Sequence, residues 1–204
     1  MFPARLMSTA PAMRRSTAFN LPNLLTYGRL AAVPVVVGLL FWPEDHWSRW
    51  MALGVFAVAA ITDYLDGYLA RVYAQHSALG RMLDPIADKL LVAACLLMLV
   101  ADRTIHGWAL WAAIVILCRE ILVSGLREFL AELKVSVPVS RVAKWKTTLQ
   151  LLSVGFLIAG PAGETVLPGN IMIGTVLLWA SAILTIYTGW DYFKNGIHHL
   201  TDEG

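Results

Sequence analysis

Charge is scarce in this chain. Only 15% of its 204 residues are Asp, Glu, Lys or Arg, and the net charge is +2. So small a balance offers no basic surface to a nucleic acid, and the position of each charge matters more than the sum. Cysteine is nearly absent. Cys95 and Cys118 both fall inside apolar runs, where a thiol behaves as a small hydrophobe and no disulfide framework can be read. His46, His76, His106, His198 and His199 lie in loops or the tail, and none has the spacing of a metal site. No internal repeat and no second domain is visible. The first twenty residues lack the apolar h-region and cleavage pattern of a secretory signal. They contain Arg5, Arg14, Arg15, Ser8 and Ser16 but no acid, which also fits an organellar transit peptide; the plainer reading is that residues 1–19 form a basic segment on the membrane surface.

What the chain has in excess is apolar surface. It is 58% hydrophobic with a mean hydropathy of +0.64, too apolar for a water-soluble core, so the bilayer is the expected solvent. A helix crosses the hydrocarbon in about 20 apolar residues. Six stretches approach that length, at 22–42, 48–73, 82–101, 107–131, 143–160 and 170–192. Turn chemistry separates several of them: Pro43-Glu44-Asp45, Asp102-Arg103, Pro138 and Gly160-Pro161-Ala162-Gly163. The expected fold is all-α, a polytopic membrane domain over 20–194 followed by a cytoplasmic tail at 195–204. With the N-terminus inside, Arg5, Arg14, Arg15, Arg71, Arg81, Lys134, Arg141, Lys144, Lys146 and Lys194 fall on the cytoplasmic side, and Arg49 and Arg103 on the other. Both termini are then cytoplasmic. Trp42, Trp47, Trp50 and Trp108 form an aromatic belt at the outer boundary.

Against this background four aspartates stand out. In ITDYLDGYLAR, Asp63, Asp66, Gly67, Ala70 and Arg71 recur at helical steps of three and four and share one stripe of the second span. The third span opens GRMLDPIAD, with Gly80, Asp84 and Asp88 at successive steps of four. The second span runs inward and the third returns, so the four carboxylates meet in the cytoplasmic half of the bilayer. Ionised carboxylates clustered at membrane depth repel one another strongly unless neutralised. Divalent cations neutralise them most simply, and hard oxygen ligands favour magnesium or manganese over zinc. The alternative is salt bridging to Arg71, Arg81 or Lys89. Pro85 leaves the carbonyl of Arg81 without its usual helical partner. Gly67, Ala70 and Gly80 allow two readings, tight helix packing or backbone exposed to a flat ligand ring.

A cationic cluster follows. The fourth span carries Arg119-Glu120 and Arg127-Glu128, and the fifth carries Arg141, Lys144, Lys146, Thr147, Thr148 and Gln150. Arg141, Lys134 and Lys194 read as snorkelling to headgroups. Arg119 lies too deep for that; with Lys144 and Lys146 it is a candidate phosphate ligand, and Arg127 is the weaker member because the Arg-Glu doublets can pair internally. At the start of the first span, Asn23, Thr26 and Arg29 are spaced three apart, which drifts around a helix, so two of them are expected to face the site together. Asn23 could instead cap the helix, and Arg29 could snorkel.

The run from Asp63 to Asp88 resembles the signature of the CDP-alcohol phosphatidyltransferase family: Asp, two residues, Asp-Gly, two, Ala-Arg, eight, Gly, three, Asp, three, Asp, with every gap present. Within the family the chain is most similar to the members that make phosphatidylglycerophosphate, through NLPNLLTYGRL, LDPIADKLLV, REILVSGLRE and KWKTTLQ. The resemblance implies that CDP-diacylglycerol donates its phosphatidyl group to sn-glycerol 3-phosphate, releasing CMP. It implies that Asp63, Asp66 and Asp84 bind two magnesium or manganese ions, with Asp88 as metal-adjacent ligand and general base. It assigns Gly67, Arg71 and Ser77 to the CDP-lipid, with Ala70, Gly80, Asn23 and Thr26 completing that pocket. Arg119, Lys144 and Lys146, with Arg127 behind them, would hold the acceptor phosphate. A homodimer in a bacterial inner membrane is implied too, or in an organellar membrane if the N-terminus is a transit peptide. Other acceptors of the family (inositol phosphate, serine, phosphatidylglycerol) would leave the reaction type unchanged. A cation transporter is the reading from a different class, but its acids should line the whole depth of the membrane.

Overall fold

The computed structural model describes residues 21–42, 44–73, 78–133 and 141–201. Side chains are described for these except at 21–22, 64–73, 78–81, 84, 141, 143–144, 191 and 195–201. The described residues form six helices and no strand: α1 (Leu21–Leu40), α2 (His46–Tyr73), α3 (Ala78–Ala101), α4 (Ala109–Glu132), α5 (Arg141–Glu164) and α6 (Asn170–Thr201). Each of the six apolar stretches is one helix. α6 runs on to Thr201, so most of the segment expected as a tail from residue 195 is helical. The basic segment 1–19 lies outside the described residues.

The interior is built from small and aliphatic side chains. Val36, Ala52, Cys95, Leu96, Ala112, Ile116, Leu157 and Leu178 pack in one cluster. Large apolar residues such as Ile61, Leu97, Ile121, Ile183 and Trp190 face outward instead. That inversion suits hydrocarbon, where apolar exposure carries no penalty and helices associate through close packing. α5 packs most extensively on α6, α1 on α2 and α3, and α4 on α6. The helices α1, α4 and α6 are each long and apolar enough to cross a membrane, over Asn23–Leu40, Ala109–Glu132 and Asn170–Lys194. Of the others, α2 and α3 carry the aspartates, and α5 carries Lys144 and Lys146.

Two devices shape the end of the bundle away from those charges. Asp45 caps α2: its carboxylate accepts the Ser48 hydroxyl at 2.7 Å and the backbone N–H groups of Trp47 and Ser48. These bonds, the Ser48 hydroxyl first, hold its carboxyl below the usual range. The second device is a bend in α5, where the sequence predicts a break. Gly160 takes φ 45°, ψ −128°, and the helix resumes from Pro161 to Glu164. The bend strips carbonyls of their helical partners. The Asn170 amide donates to Phe156 and Gly160 at 2.8 and 3.1 Å, and the Arg49 guanidinium donates to Ile158 at 3.2 Å. Arg49 also pairs with Asp102 and donates to Thr104, all three enclosed. Trp42, Trp47 and Trp108 are exposed around this end, as an aromatic belt requires.

Candidate active site

α1, α2 and α3 bring one cation and two acids to a point. Arg29 Nη1 donates to Asp63 Oδ1 at 2.6 Å and to Asp88 Oδ1. Arg29 is 2% exposed, whereas both carboxylates are 42% exposed and line a cavity of about 550 Å³. The guanidinium therefore backs the site and the carboxylates face the opening. Asp63 from late α2 and Asp88 from early α3 share one nitrogen, so the two lie at one depth, as the antiparallel run predicts. Arg29 does not snorkel. Asn23, Thr26 and Arg29 are all buried on α1, and of the three it is Arg29 that lines the cavity. Among the described residues the ion-pair partner of Asp63 and Asp88 is Arg29, while Lys89 donates to the Ser124 hydroxyl across the cavity.

The donor set suits a hard cation. Two carboxylates against one guanidinium leave the trio formally at −1, and all the oxygens are of the kind magnesium and manganese prefer. Among the described residues no three His, Cys, Asp or Glu side chains come together. The side chains of Asp66 and Asp84 lie outside the described residues, but α2 and α3 are helical there, so each stands three or four residues from Asp63 or Asp88 on the same stripe. The surroundings of Gly67, Ala70 and Gly80, the side chains of Arg71 and Lys144, and Ser77 altogether also lie outside the described residues.

The opposite wall of the same cavity comes from α4 and α5. Glu120, Ser124, Glu128, Lys146, Thr147 and Gln150 line it. Lys146 is 4% exposed and donates from Nζ to Glu120 Oε1. Arg119 takes a different place. Its guanidinium donates to Thr188 Oγ1 on α6 at 2.9 Å and to Glu120 at 3.4 Å, its stem lies against Gly189, and it does not line the cavity. Arg127 lies 5.5 Å over the Tyr192 ring, also away from the cavity lining. One cavity therefore joins carboxylates on α2 and α3 to a buried ammonium on α5. Sequence reasoning left Arg29 between two roles and gave none to Glu120 or Gln150. The signal for Gln150 was its position four residues beyond Lys146, one turn along the same face.

A family model described as CDP-alcohol phosphatidyltransferase matches residues 19–187. The chain is 46% identical over 175 residues to a Rickettsia bellii protein and 47% identical over 175 residues to one from Rickettsia typhi; each match covers 86% of this chain, with 94% and 96% of the relative. It is 37% identical over 190 residues to an Escherichia coli protein, covering 91% of this chain and 99% of that one. All three relatives bear the name CDP-diacylglycerol--glycerol-3-phosphate 3-phosphatidyltransferase.

Proposed function

Because the chain belongs to the CDP-alcohol phosphatidyltransferase family, we propose that it transfers the phosphatidyl group of CDP-diacylglycerol to sn-glycerol 3-phosphate, giving phosphatidylglycerophosphate and CMP. The observation that carries the reading is the single cavity in which Asp63 and Asp88 face Lys146. A diphosphate donor and a phosphorylated acceptor need such an arrangement of acids that hold a cation beside a cation that holds a phosphate. The identity to relatives of that name, sustained over most of both chains, supports the acceptor.

In this reading Asp63, Asp66, Asp84 and Asp88 hold two magnesium or manganese ions. Bound there, the ions would neutralise the donor diphosphate and draw charge from the departing CMP. The chain's own groups do the rest. Asp88, oriented by Arg29, takes the proton from the acceptor's primary hydroxyl. The hydroxyl oxygen forms a bond to the β-phosphorus, the phosphoanhydride bond breaks, and CMP leaves with the electron pair. Lys146 holds the acceptor phosphate as a point charge, with Lys144 as a second cation on α5 and Arg119 acting through Glu120. Asn23, Thr26, Gly67, Ala70, Arg71, Ser77 and Gly80 hold the CDP-lipid.

The enzyme would span the bacterial inner membrane six times as a homodimer, with both termini and the site on the cytoplasmic side. Apolar outward faces and the concentration of Lys and Arg at one end support that orientation. The test uses the purified protein in detergent with CDP-diacylglycerol, magnesium or manganese, and labelled glycerol 3-phosphate, inositol phosphate, serine or phosphatidylglycerol. CMP release is expected with glycerol 3-phosphate and with a divalent metal; release with another acceptor alone would overturn the reading.

A further inference from the structure

Gln150 sits on α5 one turn beyond Lys146, and both line the cavity that Asp63 and Asp88 face. Side chains four apart on a helix are neighbours, with Cβ atoms about 5–6 Å apart. Gln150 is 5% exposed, yet its amide oxygen Oε1 has no hydrogen-bond partner among the described residues. Buried polar atoms are almost always paired, because stripping water from them without replacement opposes folding. Oε1 is itself enclosed, so a donor arriving from the cavity pairs with it once the amide turns outward.

The surroundings limit what that donor is. The Lys89 ammonium is turned to Ser124 and the Lys146 ammonium to Glu120. A phosphate or carboxylate would set acceptor against acceptor. A hydroxyl is small, neutral and a donor, and it would arrive beside a cation suited to a phosphate. We infer that Gln150 is a specificity-determining residue, accepting a hydrogen bond from the non-reacting hydroxyl of a small phosphorylated polyol whose phosphate is held at Lys146. The inference rests on the function proposed above, in which that polyol is glycerol 3-phosphate. Its primary hydroxyl reacts and its C2 hydroxyl is left to be read by Gln150.

The test compares two acceptors on the full-length protein in detergent: glycerol 3-phosphate, and 1,3-propanediol monophosphate, which lacks the C2 hydroxyl. The wild type should favour glycerol 3-phosphate in kcat/KM by about tenfold or more, as sites built to pair a hydroxyl do. Gln150→Met keeps the length of the side chain but removes the amide. It should bring the ratio to within about threefold, almost wholly by loss on glycerol 3-phosphate. Gln150→Asn, which keeps the amide but shortens its reach, should fall between. Without acceptor, Gln150→Met should melt at the wild-type temperature or above, because it removes an unpaired buried oxygen. A lower melting temperature, or equal loss on both acceptors, would overturn the inference and leave the proposed function standing. A wild type that releases no CMP with glycerol 3-phosphate would overturn both.

Discussion

Glu120 holds two cations of unequal standing. It accepts from Lys146, which lines the cavity, and from Arg119, whose other hydrogen bond goes to Thr188 on α6. An incoming phosphate would meet Lys146 directly and Arg119 only through Glu120. Lys146→Gln should therefore raise the KM for glycerol 3-phosphate about ten- to a hundredfold while the donor's KM changes little, as loss of a charge-assisted contact demands. Arg119→Gln should raise the acceptor KM by no more than about threefold and lower the melting temperature, because the Arg119 hydrogen bond that ties α4 to Thr188 on α6 is lost. Saturation curves for both substrates decide it, and a larger acceptor effect at Arg119 would return the phosphate to that side chain. The antiparallel run of the second and third spans made the meeting of Asp63 and Asp88 legible. It could not say that Arg29 would bridge Asp63 and Asp88, because that pairing spans three helices. Nor could it say that Arg119 would turn to α6, since depth in a span does not tell by which flank a long side chain leaves its helix.

Gly160 shows why the bend in α5 needs its residue. A Cβ there would lie 2.4 Å from Arg49 Nη1, and the φ of +45° is one that L side chains rarely adopt. Gly160→Ala should cost about 3 kcal/mol or more, from the left-handed backbone and from displacement of the buried Arg49–Asp102 pair. Thermal unfolding in detergent measures it; an unchanged melting temperature would mean that Arg49 yields freely. The next turn holds a pH-dependent joint. Glu164 accepts the Ile171 and Gly169 N–H groups at 2.7 and 2.8 Å and so caps the start of α6. Those bonds, Ile171 first, hold its carboxyl below its ordinary 4.5. A depressed folded value means that the cap contributes fully above the unfolded value and is lost as pH falls through the folded one. Stability should then decline below about pH 4.5, and Glu164→Gln should flatten that decline. Melting curves across that range are the check, and equal slopes in both proteins would remove Glu164 from the joint. The six helices were legible as six long apolar runs, several of them separated by turn chemistry. The bend was read as a break because Gly160-Pro161 signals a stop, and the restoring donors, Asn170 and Arg49, come from other helices.

For the whole molecule, the proposed orientation is supported by the distribution of cations along the sequence. Arg49, one of two basic residues expected on the outer side, is enclosed in its pair with Asp102. Arg103 then remains as the exposed Lys or Arg among the described residues at that end. With six spans, the α1–α2 turn faces outward and the end of α4 faces inward. Two exposed positions report on this, Glu44 in the turn and Glu132 at the end of α4. In a Cys118→Ser background Cys95 stays buried and silent. A membrane-impermeant maleimide on intact spheroplasts should label Glu44→Cys and spare Glu132→Cys until the membrane is permeabilised. The reverse pattern would invert the protein and put the carboxylate cavity on the wrong side for a cytoplasmic acceptor. Labelling of both in intact spheroplasts would mean that α2, α3 and α4 do not all cross, which would end the six-span reading.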